Sequence, residues 1–166
     1  MIADPARRVA TAPLVADWIR DNIPNAIVIG SDDENGQWVP EIAARAGMPY
    51  QLLNKIRRGN RDVEVSPPNS DAARGRTPVI VDDIVSSGRT AIETVGQLKR
   101  LGLPAAFVAI HAVFAQDAWE QLLAAGATRV VSTDSIPHGS NAISIAGLLV
   151  KAITELLDDS DLKHAP

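Results

Sequence analysis

Two adjacent carboxylates lie directly after an apolar, β-branched run. Residues 78–81 (PVIV) predict a buried strand, and Asp82 and Asp83 come immediately after it. Two negative charges repel a bare phosphate, so the pair favours a ligand that carries hydroxyl groups or a metal ion beside its phosphate. The two acids can accept hydrogen bonds from a diol such as that of ribose.

A turn of small polar residues comes after the two acids. It contains Ser86, Ser87 and Gly88, and a helical pattern begins at Thr90. At such a strand-to-helix turn, backbone N–H groups converge on an anion, and the partial positive charge of the helix N-terminus favours it. Acids and turn together suit a sugar phosphate, with the turn around the 5′-phosphate. The competing interpretation is a strand end with a solvated acidic turn.

Two further polar clusters come after predicted strands. Residues 31–36 (SDDENG) come after the strand predicted at 26–30, and residues 54–58 (NKIRR) after the one at 50–53. Lys55 and Arg57 are two positions apart on an extended segment, so both can reach the same anion. Taken alone, the first cluster favours an ordinary acidic turn, and the second is equally consistent with a solvated basic loop.

The spacing of strands and helices predicts an α/β fold with a parallel five-stranded sheet and helices on both faces. Ligands of such sheets bind beyond the carboxyl ends of the strands, which is where the polar clusters fall. His111 and His138 also lie after strands, and a hydrogen-bonded structural role is expected for both. The predicted strands are 26–30, 50–53, 78–81, 105–110 and 129–132, and the predicted helices are 11–22, 38–46, 90–101, 117–125 and 141–157.

Length and composition predict one domain in 166 residues, with an arm at 1–9, a flexible loop at 54–77 and a tail at 158–166. The formal net charge of −4 argues against a nucleic-acid partner. No run reaches 18 apolar residues, and there is no cysteine, hence no disulfide or thiolate metal site. We therefore expect a cytoplasmic protein with no membrane partner.

The stretch VDDIVSSGRT resembles the signature of the type I phosphoribosyltransferase fold, which binds phosphoribosyl pyrophosphate (PRPP). The stretch HAVFAQDAWEQLLAAGATRVVSTDSIPH is similar to the region of strands four and five in ribose-phosphate diphosphokinases, the PRPP synthetases. The resemblance runs from about residue 10 to residue 157. It is closest to the C-terminal half of those enzymes, which are about twice as long and consist of two copies of the fold.

The resemblance implies roles for named residues. Asp82 and Asp83 would hold the ribose hydroxyls or their Mg²⁺, and Asp33 would serve the metal and the pyrophosphate. Lys55 and Arg57 match the start of the family's flexible loop and would be the catalytic cations. The implied ribose 5-phosphate site also includes Ser86, Ser87, Gly88, Arg89 and Thr90, and the implied pyrophosphate loop includes Asp32, Asn35 and Gly36 beside Asp33.

The implied reaction transfers diphosphate from ATP to ribose 5-phosphate, forming PRPP and AMP, with Mg²⁺ as cofactor and a homo-oligomer as the assembly. One position departs from the pattern: PRPP synthetases usually carry a third acid where Ser86 stands. Two alternatives therefore stay open. One is a type I phosphoribosyltransferase that uses PRPP in nucleotide salvage, and the other is a non-catalytic protein that binds ribose phosphate or PRPP.

Overall fold

A computed structural model describes residues 10–30, 38–58 and 62–163, without the side chains of 55–58, 62–65 and 159–163. Helices and strands alternate along most of the chain. The helices are α1 Ala12–Asn22, α2 Val39–Ala46, α3 Ser70–Ala73, α4 Arg89–Arg100, α5 Ala118–Ala125 and α6 Ala146–Lys163. The strands are β1 Ala26–Gly30, β2 Tyr50–Leu52, β3 Lys55–Arg58, β4 Asp62–Val65, β5 Thr77–Val85, β6 Ala106–Ala112, β7 Arg129–Thr133 and β8 Asn141–Ile143.

The main sheet has six parallel strands in the order β2-β1-β5-β6-β7-β8. The predicted parallel α/β architecture is confirmed, but the predicted number of five strands is wrong. The two longest strands, β5 and β6, occupy the middle of the sheet. The carboxyl end of β5 therefore lies between neighbours on both sides, where loops from several strands can surround a ligand.

The missed strand is β8, which the sequence analysis placed inside a helix over 141–157. The amide of Asn141 donates hydrogen bonds to the carbonyl oxygens of Thr133 (2.7 Å) and Ile136 (3.1 Å), which ties this segment to β7. The helix starts five residues later, at Ala146. The N–H of the preceding residue, Ile145, donates a hydrogen bond to the Asp134 carboxylate (2.8 Å). That bond lowers the pKa of the Asp134 carboxyl. The helix runs to Lys163, six residues beyond its predicted end at 157, and 164–166 lie outside the described residues.

Each face of the sheet carries its own apolar cluster. On one face α1 and α2 bury Ile19 and Ile42 against β1, β5 and β6. On the other face α4 and α5 bury Leu98 and Leu122 against Phe107 of β6. Full burial of each such side chain contributes about 1.5–3 kcal/mol. The two clusters pack against opposite faces of β5. Its carboxyl end, which leads into the loop before α4, is therefore held in a fixed position.

The segment 54–77 contains regular structure that the sequence analysis did not predict. Strands β3 and β4 form an antiparallel pair, and α3 comes next, with the side chain of Asn69 accepting hydrogen bonds from its first N–H groups. The four-residue strands were missed because a run this short and charged has no apolar periodicity. The predicted flexibility of this segment stays a prediction. The arm predicted at 1–9 lies outside the described residues.

Helix ends agree only partly with their sequence signals. Helix α2 ends as predicted at Gly47, which takes the left-handed conformation (φ 69°). Helix α5 begins without a side-chain cap: the Asp117 side chain accepts a hydrogen bond from the side-chain amide of Gln121 (2.7 Å) and caps no backbone N–H. Among the described residues, no helix is both long enough and apolar enough to span a bilayer.

An ion pair joins α1 to α2 on the surface. Both carboxylate oxygens of Asp17 accept hydrogen bonds from Arg45, at 3.2 and 2.8 Å, and one also accepts from Arg20 at 2.7 Å. These hydrogen bonds lower the pKa of Asp17 below its ordinary value of 3.8, and those from Arg45 have the largest effect. The carboxylate form of Asp17 is therefore the one that the fold favours.

We predict that Asp17→Asn flattens the acid limb of the stability curve. Because the pKa of Asp17 is lower in the folded than in the unfolded chain, its stabilisation is present above about pH 3.8 and is lost as the pH falls through the folded-state value. Urea unfolding at a series of pH values measures the free energy of unfolding. The control Asp158→Asn, at an exposed position of α6, should keep the wild-type slope. Identical acid limbs in wild type and Asp17→Asn would contradict the prediction.

Candidate functional site

The two adjacent acids are part of β5 rather than of a loop after it. The strand continues to Val85, four residues beyond the end that the sequence analysis predicted. In this extension β5 still pairs with β6, with Asp82 opposite Ala109 and Ile84 opposite His111. The strand prediction stopped too early because aspartate is rare in strands, whereas here backbone pairing with a long neighbour overrides that preference. Both carboxylates are thus carried by a rigid element.

The two carboxylates differ in their surroundings. Asp82 is half-buried, and Asp83 is exposed. One carboxylate oxygen of Asp83 accepts a hydrogen bond of 2.7 Å from the backbone N–H of the next residue, Ile84. A carboxylate has room for several donors on its two oxygens, so Asp83 retains capacity for hydroxyl groups of a ligand.

The turn after β5 reverses the chain sharply into α4. Ser86 and Ser87 are exposed, and Gly88 takes the left-handed conformation (φ 62°) immediately before the helix. No side chain caps the N-terminus of α4, and its first turn contains no acidic residue. The N–H groups of that first turn have no partner within the helix and carry its positive dipole end. The arrangement suits an anion, and Arg89 adds a positive charge at the first helical position.

A single cavity of about 340 Å³ joins the acids to the turn. Its lining is a continuous stretch of chain, and it contains every residue predicted for the ribose 5-phosphate site. The lining residues are Asp82, Asp83, Ile84, Val85, Ser86, Ser87, Gly88, Arg89, Thr90 and Ala91. The structure therefore brings the predicted sugar-phosphate residues together, and their individual roles stay predictions.

The remaining predicted site residues are only partly visible. The whole predicted pyrophosphate loop lies outside the described residues, including Asp32, Asp33, Asn35 and Gly36. Lys55 and Arg57 lie in β3, where the backbone is described and the side chains are not. Strand β1, which leads into the pyrophosphate loop, pairs directly with β5, and its last residue Gly30 lies opposite Val81. The carboxyl end of β1 therefore lies beside the part of β5 that carries the two acids.

Asp82 and Asp83 are the two candidate carboxylate ligands for Mg²⁺ in this cavity. Among the described residues, no group of three or more His, Cys, Asp or Glu side chains is arranged around one point. Mg²⁺ sites typically use only one or two carboxylates, with water and substrate phosphates completing the octahedron. Asp82 and Asp83 fit that kind of site, whereas a cage built wholly from protein ligands is not supported by the described part of the chain.

The two predicted structural histidines are both hydrogen-bonded. His111 Nδ1 lies 2.9 Å from the Ser135 hydroxyl, which in turn donates to the Ile110 carbonyl (3.1 Å). His138 Nδ1 accepts a hydrogen bond from the Ser140 N–H (3.1 Å). The expected hydrogen bonding of both histidines is confirmed, and their structural role stays a prediction.

The sequence analysis missed the segment 113–117, which joins β6 to α5. The Val113 N–H donates to the Val85 carbonyl (3.1 Å), and the Ala115 N–H donates to the Ser86 carbonyl (3.0 Å). These bonds attach the segment to the end of β5 and to the turn. No residue type could have revealed them, because every non-proline residue carries the same backbone donor.

Comparisons with known proteins agree with this architecture. A sequence profile of the phosphoribosyl transferase domain matches residues 2–146. The chain is 30% identical to a ribose-phosphate pyrophosphokinase of Methanopyrus kandleri over 155 residues, covering 92% of this chain and 53% of that protein. Ribose-phosphate pyrophosphokinase 2 of Archaeoglobus fulgidus is 32% identical over 142 residues, covering 85% of this chain and 51% of that protein. The chain thus spans about half the length of these curated relatives.

Solved structures show the same fold. The orotate phosphoribosyltransferase of Aeropyrum pernix superposes with a TM-score of 0.54 at 20% identity, covering 86% of this chain and 73% of that chain. The adenine phosphoribosyltransferase of Thermoanaerobacter pseudethanolicus gives 0.53 at 16% identity, covering 74% and 76%. Both the predicted fold and the resemblance to ribose-phosphate diphosphokinases, also called pyrophosphokinases, are confirmed.

We predict that Gly88→Ala lowers the free energy of unfolding by about 1 kcal/mol, because a residue with a Cβ atom pays for the left-handed conformation. An added Cβ would lie no closer than 3.5 Å to any neighbour, so crowding adds little. Gly75→Ala is a matched control, since Gly75 has φ 72° and open space around it. Urea unfolding should show similar losses in both variants. A loss in Gly88→Ala several times that of Gly75→Ala would contradict a purely conformational cost.

Proposed function

Since the chain belongs to the family of phosphoribosyl transferase domains, we propose that the cavity at the end of β5 binds the ribose 5-phosphate group common to ribose 5-phosphate and PRPP. The observation that carries the proposal is the single cavity in which two carboxylates and an uncapped helix N-terminus face one ligand-sized space. A sugar phosphate has hydroxyl groups at one end and a dianion at the other. Its two ends match the two ends of the cavity.

The sugar end of the ligand would meet Asp82 and Asp83. The 2′ and 3′ hydroxyls of ribose are adjacent donors, and carboxylate oxygens are acceptors. Hydrogen bonds to a charged acceptor contribute about 1.5–3 kcal/mol each. A bare phosphate placed at this end would be repelled by both acids, so the acids also set the orientation of the ligand.

The phosphate end would meet the turn and the first turn of α4. The N–H groups there are unpaired within the helix, and the hydroxyls of Ser86 and Ser87 add donors on an exposed edge. Thr90, at the second helical position, and Arg89 complete this end of the lining. Gly88 supplies the left-handed conformation with which the chain enters α4.

The resemblance supports a more specific activity, that of ribose-phosphate diphosphokinase. In this reaction the 1-hydroxyl oxygen of ribose 5-phosphate attacks the β-phosphorus of ATP, the diphosphate group moves to that oxygen, and AMP leaves. Asp82, Asp83 and Asp33 would hold Mg²⁺, as the resemblance implies, and the ion would neutralise phosphate charge. Lys55 and Arg57 would neutralise charge that develops on the transferred oxygens.

The half-length match affects how this activity is assigned. Relatives named ribose-phosphate pyrophosphokinase are about twice as long as the matched region. We propose that the chain supplies the ribose 5-phosphate half of such a site, and that ATP binding draws on a further copy or partner in a cytoplasmic homo-oligomer. The chain alone then accounts for sugar-phosphate recognition.

A non-catalytic binder is the second candidate, and Ser86 favours it. The Ser86 side chain is an exposed hydroxyl at a position where PRPP synthetases usually carry a third acid, and a hydroxyl does not act as a carboxylate base. The phosphoribosyltransferase alternative would use the same sugar site with PRPP. The solved phosphoribosyltransferases share the fold with this chain at 20% identity or less, and so do not favour that chemistry.

We predict that Asp83→Asn raises the Kd for ribose 5-phosphate in the presence of Mg²⁺ by at least about tenfold, because a charged acceptor is lost. Isothermal titration calorimetry measures the affinity. Asp71→Asn removes an exposed carboxylate of α3 that pairs with Arg74 and serves as the control with unchanged affinity. Equal affinities in wild type and Asp83→Asn would remove Asp83 from the diol site.

We predict that Lys55→Ala and Arg57→Ala leave the Kd for ribose 5-phosphate unchanged but lower the rate of AMP release from ATP by about 100-fold, since each removes a cation that acts on the transferring group. Arg58→Ala, a change at the next residue of β3, is the matched control and should retain turnover. A wild-type chain that binds ribose 5-phosphate but releases no AMP would identify the non-catalytic binder. Full turnover in both variants would contradict the catalytic assignment.

A further inference from the structure

The turn of residues 86–88, which we call the phosphate turn, is hydrogen-bonded together with the end of β5 to the segment 113–117. Two backbone hydrogen bonds join them, from Val113 to Val85 and from Ala115 to Ser86. The start of α5 also lies close to the turn, since a Cβ placed on Gly88 would be 3.9 Å from that of Ala118. A displacement of this segment would therefore displace the carbonyl of Ser86 and, with it, the donors that surround the phosphate.

The segment itself is held in a strained conformation. Gln116 has φ 54°, in the left-handed region that residues other than glycine seldom occupy. Such a residue costs on the order of 1 kcal/mol and persists only where its surroundings hold it. The strained residue comes directly after Ala115, which donates to the turn. Something outside the segment must hold it in place.

Three rings supply that support. The His138 ring lies 4.8 Å from the Phe114 ring and 5.2 Å from the Trp119 ring, the second contact being edge-to-face. Phe114 precedes the strained residue and Trp119 comes after it, so His138 contacts the chain on both sides of Gln116. The buried indole N–H of Trp119 meets no acceptor within the described part of the chain, so ring packing rather than hydrogen bonding holds Trp119. Such ring pairs contribute about 0.5–1.5 kcal/mol each beyond their buried area.

His138 is anchored to the edge of the sheet. Its Nδ1 accepts the Ser140 N–H (3.1 Å), and its backbone N–H donates to the Asn141 side chain (2.8 Å). The Ser140 hydroxyl in turn lies 2.7 Å from the hydroxyl of Ser132 on β7. The histidine ring is thus fixed by β7 and β8, on the opposite side of β6 from the turn.

We infer that Phe114, Trp119 and His138 are positioning residues for the phosphate turn: they press the segment 113–117 against Ser86 and thereby set the affinity for the sugar phosphate. This inference rests on the proposed function for its ligand, and on the contacts above for its mechanics. It assigns a role to β7 and β8, which lie two and three strands away from the acids.

The test combines a ligand-free and a ligand-dependent measurement on Phe114→Leu, which keeps an apolar side chain but removes the ring. Amide hydrogen exchange of Ala115 reports its bond to Ser86 directly, and calorimetry reports the Kd for ribose 5-phosphate. We expect exchange at Ala115 to accelerate and the Kd to rise by at least about tenfold. The separate variant Phe114→Tyr, which keeps the ring, should show wild-type exchange at Ala115 and a wild-type Kd.

Trp18→Leu is the matched control. Trp18 is also a half-buried aromatic residue, but it packs against the cluster on the α1–α2 face. The substitution Trp18→Leu should lower the free energy of unfolding without changing amide exchange at Ala115 or the Kd for ribose 5-phosphate. If Phe114→Leu does not fold, His138→Asn removes the ring from the other side of the contact and is judged by the same two readouts.

Each outcome decides a claim. Unchanged exchange at Ala115 in a folded Phe114→Leu, or an equal change in Trp18→Leu, overturns the positioning role. A faster exchange with an unchanged Kd overturns the link between the rings and affinity. If wild type does not bind ribose 5-phosphate at all, the proposed function fails, and exchange at Ala115 still decides whether the rings hold the segment.

Discussion

Backbone hydrogen bonds between the end of β5 and the chain just after β6 are the interaction on which the candidate site depends. Parallel pairing continues past the acids to Val85, and two further N–H groups, of Val113 and Ala115, extend it to the turn. These bonds turn two aspartates and a short polar turn, which would favour an irregular loop, into a fixed surface. Preorganisation of this kind lowers the entropy that a ligand must overcome on binding.

Unfavourable backbone conformations and favourable apolar burial both contribute to stability at this end of the sheet. The turn and its support contain two residues in the left-handed conformation, Gly88 and Gln116, each of which has a conformational cost. Burial of side chains such as Phe107 and Leu98 beneath them contributes considerably more than these local costs. The fold can therefore hold an arrangement that is unfavourable without a ligand and complementary to one that carries hydroxyls at one end and negative charge at the other.

The sequence predicted the part of the site that depends on side-chain chemistry. The acids, the hydroxyl-rich turn and the start of α4 were expected to act together because their residue types and order suit a sugar phosphate, and they line one cavity. The features it missed depend on backbone or tertiary context: the extension of β5 to Val85, strand β8, and the β3–β4 pair. Pairing with neighbours decides such short segments, and the bonds from Val113 and Ala115 have no side-chain signature at all.

The most direct test of the account is calorimetric titration of the wild-type chain with ribose 5-phosphate, with and without Mg²⁺. The account predicts saturable binding to one site per chain, tighter when Mg²⁺ is present, because two carboxylates adjoin a helix N-terminus in one cavity. Absence of binding under both conditions, by a chain shown to be folded, would contradict the central claim that this strand end and turn form a sugar-phosphate site.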